Sequence, residues 1–184
     1  YYTLVDDILY KAPENMVLFL DNHDLDRFYG VQKQDFNRFK VGVGLMMTMR
    51  GIPSILYGTE ILMPYTGNHG IIRTDFPGGW KEDPINKFNA NSRSDLEQEA
   101  FEYIKHLADW RKTNAAITQG KLKQFVPEEG VYVFFRYTTS DMVMVVINQN
   151  KEPYSLSLSR FREMLHGKTT LSDVLHKKSY KISP

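Results

Sequence analysis

Hydrophobic and polar positions follow three successive regimes along these 184 residues. Leu4, Val5, Ile8 and Leu9 recur at helical spacing with Asp6 and Asp7 outside them, predicting an amphipathic helix over 1–10. Lys11-Ala12-Pro13-Glu14-Asn15 breaks it. Met16-Val17-Leu18-Phe19-Leu20 is then an uninterrupted apolar run, the pattern of a strand buried on both faces in a parallel sheet. A second helix is expected over about 35–50, with Phe36, Phe39, Val43, Met46 and Met47 as its packing stripe. Gly42 and Gly44 lower its propensity, so a close approach to the sheet is expected in compensation. Gly51 and Pro53 stop it, and a short strand follows at 54–57. The stretch 58–93 is rich in Gly, Pro, Asn and Asp and leaves the end of that strand. A loop of this length in a compact domain is expected to be functional.

Ser94-Asp95-Leu96-Glu97 is a capping box opening a helix to about 112, which should bury Phe101, Ile104, Leu107 and Ala108. Strand-like runs then appear at Lys121–Val126, Val131–Tyr137 and Met142–Ile147, joined by Glu128-Glu129-Gly130 and Thr139-Ser140-Asp141. Tyr154–Leu158 is a weaker fourth candidate. Such short connections mean antiparallel pairing. The fold class read from this order is α/β followed by all-β. Residues 1–113 form a strand–helix unit repeated twice, and residues 114–184 a separate β domain, its terminal lysines and proline preceding a last strand that is missing.

The densest polar cluster closes the first apolar run: Asp21-Asn22-His23-Asp24, with Arg27 three residues on. Function in parallel α/β sheets sits where strands end, and unpartnered Asp and His do not belong in a core. A solvent-facing site is therefore expected here. The competing reading gives Asn22 or Asp24 to an Asx turn or a helix cap. Composition narrows the field further. A formal charge of +1 offers no argument for nucleic acid, no apolar run reaches transmembrane length, and the absence of cysteine rules out thiolate metal sites and disulfides. His106, His166 and His176 are scattered without metal-ligand spacing. The chain opens without a methionine, inside a helical pattern, which reads as a piece of a longer protein.

Leu18-Phe19-Leu20-Asp21-Asn22-His23-Asp24 resembles the motif closing the seventh barrel strand of the α-amylase superfamily of glycoside hydrolases. Gly51-Ile52-Pro53-Ser54-Ile55-Leu56-Tyr57-Gly58-Thr59-Glu60 resembles its eighth strand. Arg73-Thr74-Asp75-Phe76-Pro77-Gly78-Gly79-Trp80 is similar to a loop of the neopullulanase and starch-utilisation amylase branch. The resemblance is close over 1–113 and looser beyond. It implies the last two β/α units of a (β/α)8 TIM barrel followed by a C-terminal antiparallel β-sandwich-like domain.

By the same resemblance, Asp24 is the catalytic carboxylate that stabilises the transition state, and His23 binds the sugar at the cleavage point. Arg73 and Asp75 are expected to bind sugar hydroxyls further out, or else, either of them, to form a salt bridge that stiffens the loop. Phe76 and Trp80 either stack on a glucose face or pack under the loop. Asn68 and His69 stand where relatives often carry an Asp before the Arg. Asp26 and Arg27 are expected to pair, with Arg27 supporting Asp24 or, second, contacting substrate; Glu60 reads as a supporting or capping residue. The nucleophile and general acid belong to earlier strands of the family's barrel and are assigned to no residue here. The implied parent is a retaining hydrolase of α-1,4-linked starch, maltodextrin, pullulan or cyclodextrin. Its alternatives are a transglycosylase of the same fold or a noncatalytic sugar-binding subunit. No cofactor is expected in this segment; any calcium belongs to the rest of the parent. The expected partner is an α-glucan oligosaccharide or polysaccharide, with neither nucleic acid nor membrane. Self-association through uncovered strand flanks is expected of the segment alone. The family points to the periplasm or the outside of the cell, though the residues leave the cytoplasm open.

Overall fold

Prolines, glycines and one apolar run decide how the first half of the chain folds. The computed structural model describes residues 1–183. Tyr2–Val5 form a single helical turn, α1, that continues as a 3-10 turn over Asp6–Leu9. The expected amphipathic helix is thus short, and of its stripe only Leu4 is buried, while Ile8 and Leu9 face solvent. Asp7, expected outside, instead pairs with Arg50, its carboxylate accepting from the guanidinium Nε at 2.8 and 3.0 Å.

The apolar run yields β1 (Val17–Leu18), which lies parallel to β2 (Ile52–Pro53) with Val17 opposite Ile52 and Leu18 opposite Pro53. The second strand falls just ahead of the expected 54–57, because Gly51 at φ +100° turns the chain beside Met16 and lets Ile52 N–H donate to the Met16 carbonyl. Neither strand is buried on both faces. Leu18 and Leu20 pack on the main core, whereas Val17, Phe19 and Ile52 remain exposed. A two-strand sheet with helices on one side covers only that side.

After α2 (Phe28–Val31), Asp35 caps α3 (Phe36–Thr48) by accepting from Arg38 N–H at 3.1 Å. Phe39, Val43, Met46 and Met47 are buried as the stripe predicts. The two glycines do serve close packing, but against other partners than the sheet. A Cβ on Gly42 would come within 2.4 Å of the Phe28 ring, and one on Gly44 within 3.0 Å of the Tyr103 hydroxyl. The long 58–93 segment holds a 3-10 turn at Thr59–Ile61, the short helix α4 (His69–Ile72), a 3-10 turn at Ala90–Ser92, and otherwise irregular chain.

The capping box forms as expected at the head of α5 (Asp95–Thr113): Glu97 N–H donates to Ser94 Oγ at 3.3 Å, and Ser94 N–H donates to Glu97 Oε2 at 2.8 Å. Ala100, Ile104 and Leu107 enter the core, while Phe101 is only half-buried under the Arg93 guanidinium, 3.8 Å from its ring centre. At the far end, Arg111 donates to the carbonyls of Met47, Met49 and Gly51, satisfying the end of α3 and the turn before β2.

One further turn, α6 (Ala115–Thr118), leads into an antiparallel sheet ordered β3 (Lys121–Gln124), β4 (Val131–Tyr137), β5 (Met142–Asn148). Val131, Val133 and Phe135 pack with Phe161 and Leu165 in a second core, to which the helical turn α7 (Arg162–Leu165) contributes. Tyr154–Leu158 is not a strand; it is irregular chain entering a 3-10 turn at Leu158–Phe161. The lysines expected to precede a final strand lie within one. β6 (Thr170–Asp173) pairs antiparallel with β7 (Lys178–Lys181), a hairpin with few apolar residues to announce it. The described residues therefore form a mixed helix–strand chain with one parallel pair and two antiparallel sheets.

Arg136 on β4 ties the sheet to α6 and the turn after it, its Nη2 donating to the carbonyls of Ile117 and Gly120 at 3.0 and 2.7 Å. Burial, with Arg111 and Arg50 nearby, pulls its pKa down to about 10. Glu97 gives a pH test of the α5 cap. Burial opposes its ionisation, but the Lys87 ammonium and the Ser94 donors overcome it and hold the carboxyl below its ordinary value. Its stabilisation is thus present above the unfolded glutamate value and fades as pH falls through the lower folded value. Denaturant melts of Glu97→Gln should show a loss of about 1 kcal/mol at pH 7 that shrinks toward zero below about pH 4.

Candidate functional site

Asp21 closes β1, and its carboxylate is buried. It accepts from Phe28 N–H at 2.9 Å and from the Thr59 hydroxyl at 3.0 Å, so the turn after β1 is tied to the turn after β2. The chain between Asp21 and Phe28 is thereby held as a loop on the rim of the strand pair. Asn22 makes the Asx turn anticipated for this cluster: its Oδ1 accepts from Asp24 N–H at 2.8 Å. Asp24 makes no such turn, and both it and His23 are solvent-exposed.

Arg27 departs from expectation. It is fully buried, pairs with neither Asp26 nor Asp24, and is not placed to meet substrate. Its Nε donates to the Ile72 carbonyl at 2.9 Å, its Nη1 to the Tyr57 carbonyl at 2.7 Å, and its guanidinium lies 4.9 Å from the Tyr57 ring centre. A buried guanidinium with carbonyl partners is an anchor for two loops. Asp26 turns away and accepts from Gly67 N–H at 2.6 Å.

Ile72 precedes Arg73, so that anchor fixes where Arg73 begins. Arg73 Nη2 donates to Asp24 Oδ1 at 2.6 Å, and its Nε donates to the His23 carbonyl at 2.8 Å. His23 Nε2 stands 3.2 Å from Asp24 Oδ2. Three of the four expected site residues, His23, Asp24 and Arg73, thus come together across 49 and 50 positions of sequence. Arg73 thus forms a salt bridge, to Asp24, while Asp75 is exposed and outside this network. Asn68, standing where an Asp was expected, caps α4 by accepting from Gly70 N–H at 2.7 Å. A depression of about 330 Å³ is lined by Asp24, Asp26, Asn68 and His69 among others.

Glu60 reaches inward with Oε2 buried and unpartnered among the described residues, rather than capping a helix. His106 meets the Val174 carbonyl and His176 meets Asp173. Among the described residues no group of His, Asp or Glu is gathered to hold a metal ion. No described helix is long and apolar enough to cross a membrane. Chemically, the rim presents one exposed carboxylate with a cation on one oxygen and an imidazole near the other. Such a group can accept from sugar hydroxyls and favour developing positive charge. Asp21 and Thr59 are scaffold residues that the sequence reading did not single out, although an Asp directly after an apolar run carries that signal; Arg27, expected to support Asp24, instead holds the loops on either side of it.

Comparison with known proteins decides the family. Residues 122–184 match the family described as the cyclo-malto-dextrinase C-terminal domain. An α-amylase of Niallia circulans is 35% identical over 77% of this chain, which covers 24% of that protein. The chain belongs to the α-amylase superfamily. Within it, a cyclomaltodextrin glucanotransferase of Geobacillus stearothermophilus is 32% identical over 80% of the chain and 19% of its own length. The α-amylase of Geobacillus thermoleovorans, solved in complex with acarbose, superposes with a TM-score of 0.73 over 98% of this chain and 38% of its own. At 23% identity that likeness shows the fold alone. This superfamily member spans about a quarter or less of the length of the curated relatives it matches.

Thr59 gives a direct check on how the rim is held. Thr59→Val keeps the shape but removes a donor from a buried carboxylate, and should cost about 1–3 kcal/mol. Melting of the variant should show that loss, and hydrogen exchange should accelerate at Phe28 N–H, the other donor to Asp21.

Proposed function

We propose that this chain supplies part of the active centre of an α-glucan-cleaving enzyme of the retaining type. In this reading residues 1–113 are the last two β/α units of a (β/α)8 barrel, and residues 114–184 are its C-terminal β-sandwich-like domain. The parallel pairing of β1 with β2 supports it, as does the strand–helix–strand–helix order, with Asp21 in the turn after β1 bonded to Thr59 in the turn after β2. Val17, Phe19 and Ile52, exposed on the outer face, are suited to packing against further strands or helices.

The observation that carries the proposal is the convergence of Asp24, His23 and Arg73 on one rim. Asp24 stabilises the oxocarbenium-like transition state and accepts from the sugar hydroxyls next to the cleaved bond. His23 donates to the same sugar. Arg73 acts first on Asp24, holding one carboxylate oxygen and orienting the other, and meets substrate through its remaining donors. Asp75, exposed two residues on, binds hydroxyls of a sugar further along the chain. The nucleophile and the acid are a second pair of carboxylates, about 5–5.5 Å apart, supplied by other strands. The substrate class is α-1,4-linked glucan, as starch, maltodextrin, pullulan or cyclodextrin, in the manner of the neopullulanase branch. A second reading, transfer of the glycosyl unit to an acceptor sugar instead of water, draws support from the glucanotransferases among the relatives. Analysis of products from maltoheptaose separates the two, since transfer yields chains longer than the substrate.

Asp24→Asn in the full-length enzyme should lower kcat by about two to three orders of magnitude while KM changes little. A defect confined to KM overturns the assignment, because it places Asp24 in ground-state binding alone. Residues 1–184 by themselves should release no reducing sugar from maltoheptaose at any pH. Asp24 and His23 cannot supply both a nucleophile and a proton donor. Hydrolysis by the isolated chain, lost in Asp24→Asn, overturns that expectation.

A further inference from the structure

Trp80 is the exposed large side chain whose surroundings are built least like an accident. Three-quarters of its surface faces solvent, while Trp110, the other tryptophan, packs against the main core. An indole left in water forfeits the transfer energy that burial would provide, so a rigidly presented one points to something it covers. Its backbone is held. Trp80 N–H donates to Asp83 Oδ2 at 2.8 Å, and Asp83 N–H donates back to the Trp80 carbonyl at 3.3 Å. Pro77 accepts from Lys87 N–H at 2.8 Å, closing the base of the loop. Gly78 sits buried at φ +122°, where a Cβ would meet Asn86 at 2.5 Å, so the two sides of the loop touch. Beside it Phe76 packs on Phe88 with ring centres 4.4 Å apart, and Phe88 is itself mostly exposed.

The loop is thus stiffened from Pro77 to Phe88 and carries its aromatic rings outward instead of under itself. It begins at Arg73, whose guanidinium holds Asp24, so the loop extends from the rim on which that carboxylate lies. We propose that Trp80 is the floor of an outlying sugar subsite, stacking on the apolar face of a glucose unit of an α-glucan chain several units from Asp24. A pyranose presents C–H groups on its faces and hydroxyls at its edge, matching a flat aromatic ring flanked by polar residues. Asp75, Lys81 and Glu82, all exposed beside Trp80 in sequence, provide that polar edge. This rests on the α-glucan reading above and adds to it the residue that makes longer chains better ligands than short ones.

The test uses the full-length protein labelled with 5-fluorotryptophan, in an Asp24→Asn background to prevent turnover, with the Trp80 fluorine resonance assigned by its loss in Trp80→Phe. Maltoheptaose should shift that resonance and protect it from a paramagnetic solvent probe, and maltose should do so far less. Trp80→Ala should weaken maltoheptaose binding by about tenfold, leave maltose binding unchanged, and leave the Trp110 resonance in place. Calorimetric binding of maltoheptaose without a shift at Trp80 overturns the subsite alone. A Trp80 resonance already shielded from the probe in the free protein does the same, since the ring is then covered by polypeptide. No binding of maltoheptaose overturns both the subsite and the α-glucan reading. A shift at Trp80 in a protein whose unmutated form cleaves no glucan upholds the subsite and removes only the catalytic assignment.

Discussion

Two buried charges hold the rim of this molecule together. Asp21 at the end of β1 takes Phe28 N–H and the Thr59 hydroxyl, and Arg27 takes the carbonyls of Tyr57 and Ile72. Among the described residues neither charge has an ionic partner of its own; each is held by hydrogen bonds to groups from other turns, with Arg27 Nη2 alone left buried and unpartnered. Burial without such donors and acceptors would be prohibitive, so the loops are obliged to stay where those groups are needed. The same constraint explains why an exposed carboxylate and an exposed guanidinium from opposite loops meet at 2.6 Å. Arg73 follows the carbonyl that Arg27 holds, and Asp24 lies between the two anchors of its own loop.

Guanidinium groups perform the corresponding task elsewhere in the chain. Arg111 closes the carbonyl end of α3 and the turn into β2, and Arg136 ties the antiparallel sheet to α6. Arg111 is a planar donor set spread over three carbonyl oxygens, which a lysine would serve less well, whereas Arg136 bonds through Nη2 alone and leaves Nε and Nη1 buried and unpartnered among the described residues. The apolar content of the chain is divided between two cores, one under α3 and α5 and one under β4. Arg111 ties α5 to the end of α3 and to the turn into β2, so the rim inherits its position from α3 and α5 through the β1–β2 pair. That arrangement places the loops bearing Asp24 and Arg73 on a scaffold whose rigidity comes from elsewhere.

Much of this was legible in the residues. The α3 stripe, the Ser94–Glu97 capping box and the three strands β3 to β5 follow from periodicity and turn chemistry, because those elements are decided by local spacing and the side they bury. The motif ending in Asp24, taken with Gly51–Glu60 and Arg73–Trp80, carries the family resemblance, since these stretches concentrate unusual residue types in short spans at ordered spacing. The hairpin β6–β7 was not legible, because only Leu171 and Tyr180 among its eight residues mark an apolar side. The helix expected over 1–10 was overestimated for the opposite reason: a good apolar stripe has meaning only where a core lies within reach.

What the sequence determined by itself was which residues carry chemistry and where chain direction must change. What the tertiary structure decided was who partners whom. Arg27 and Arg73 are the same residue type near the same site, yet one is sealed inside as an anchor and the other lies open against Asp24. Nothing local to either residue separates them. The difference comes from the carbonyls of Tyr57 and Ile72, which reach Arg27 only once β1 and β2 are side by side. Hydrogen-bond satisfaction is a property of the assembled interior, and spacing along a chain cannot record it.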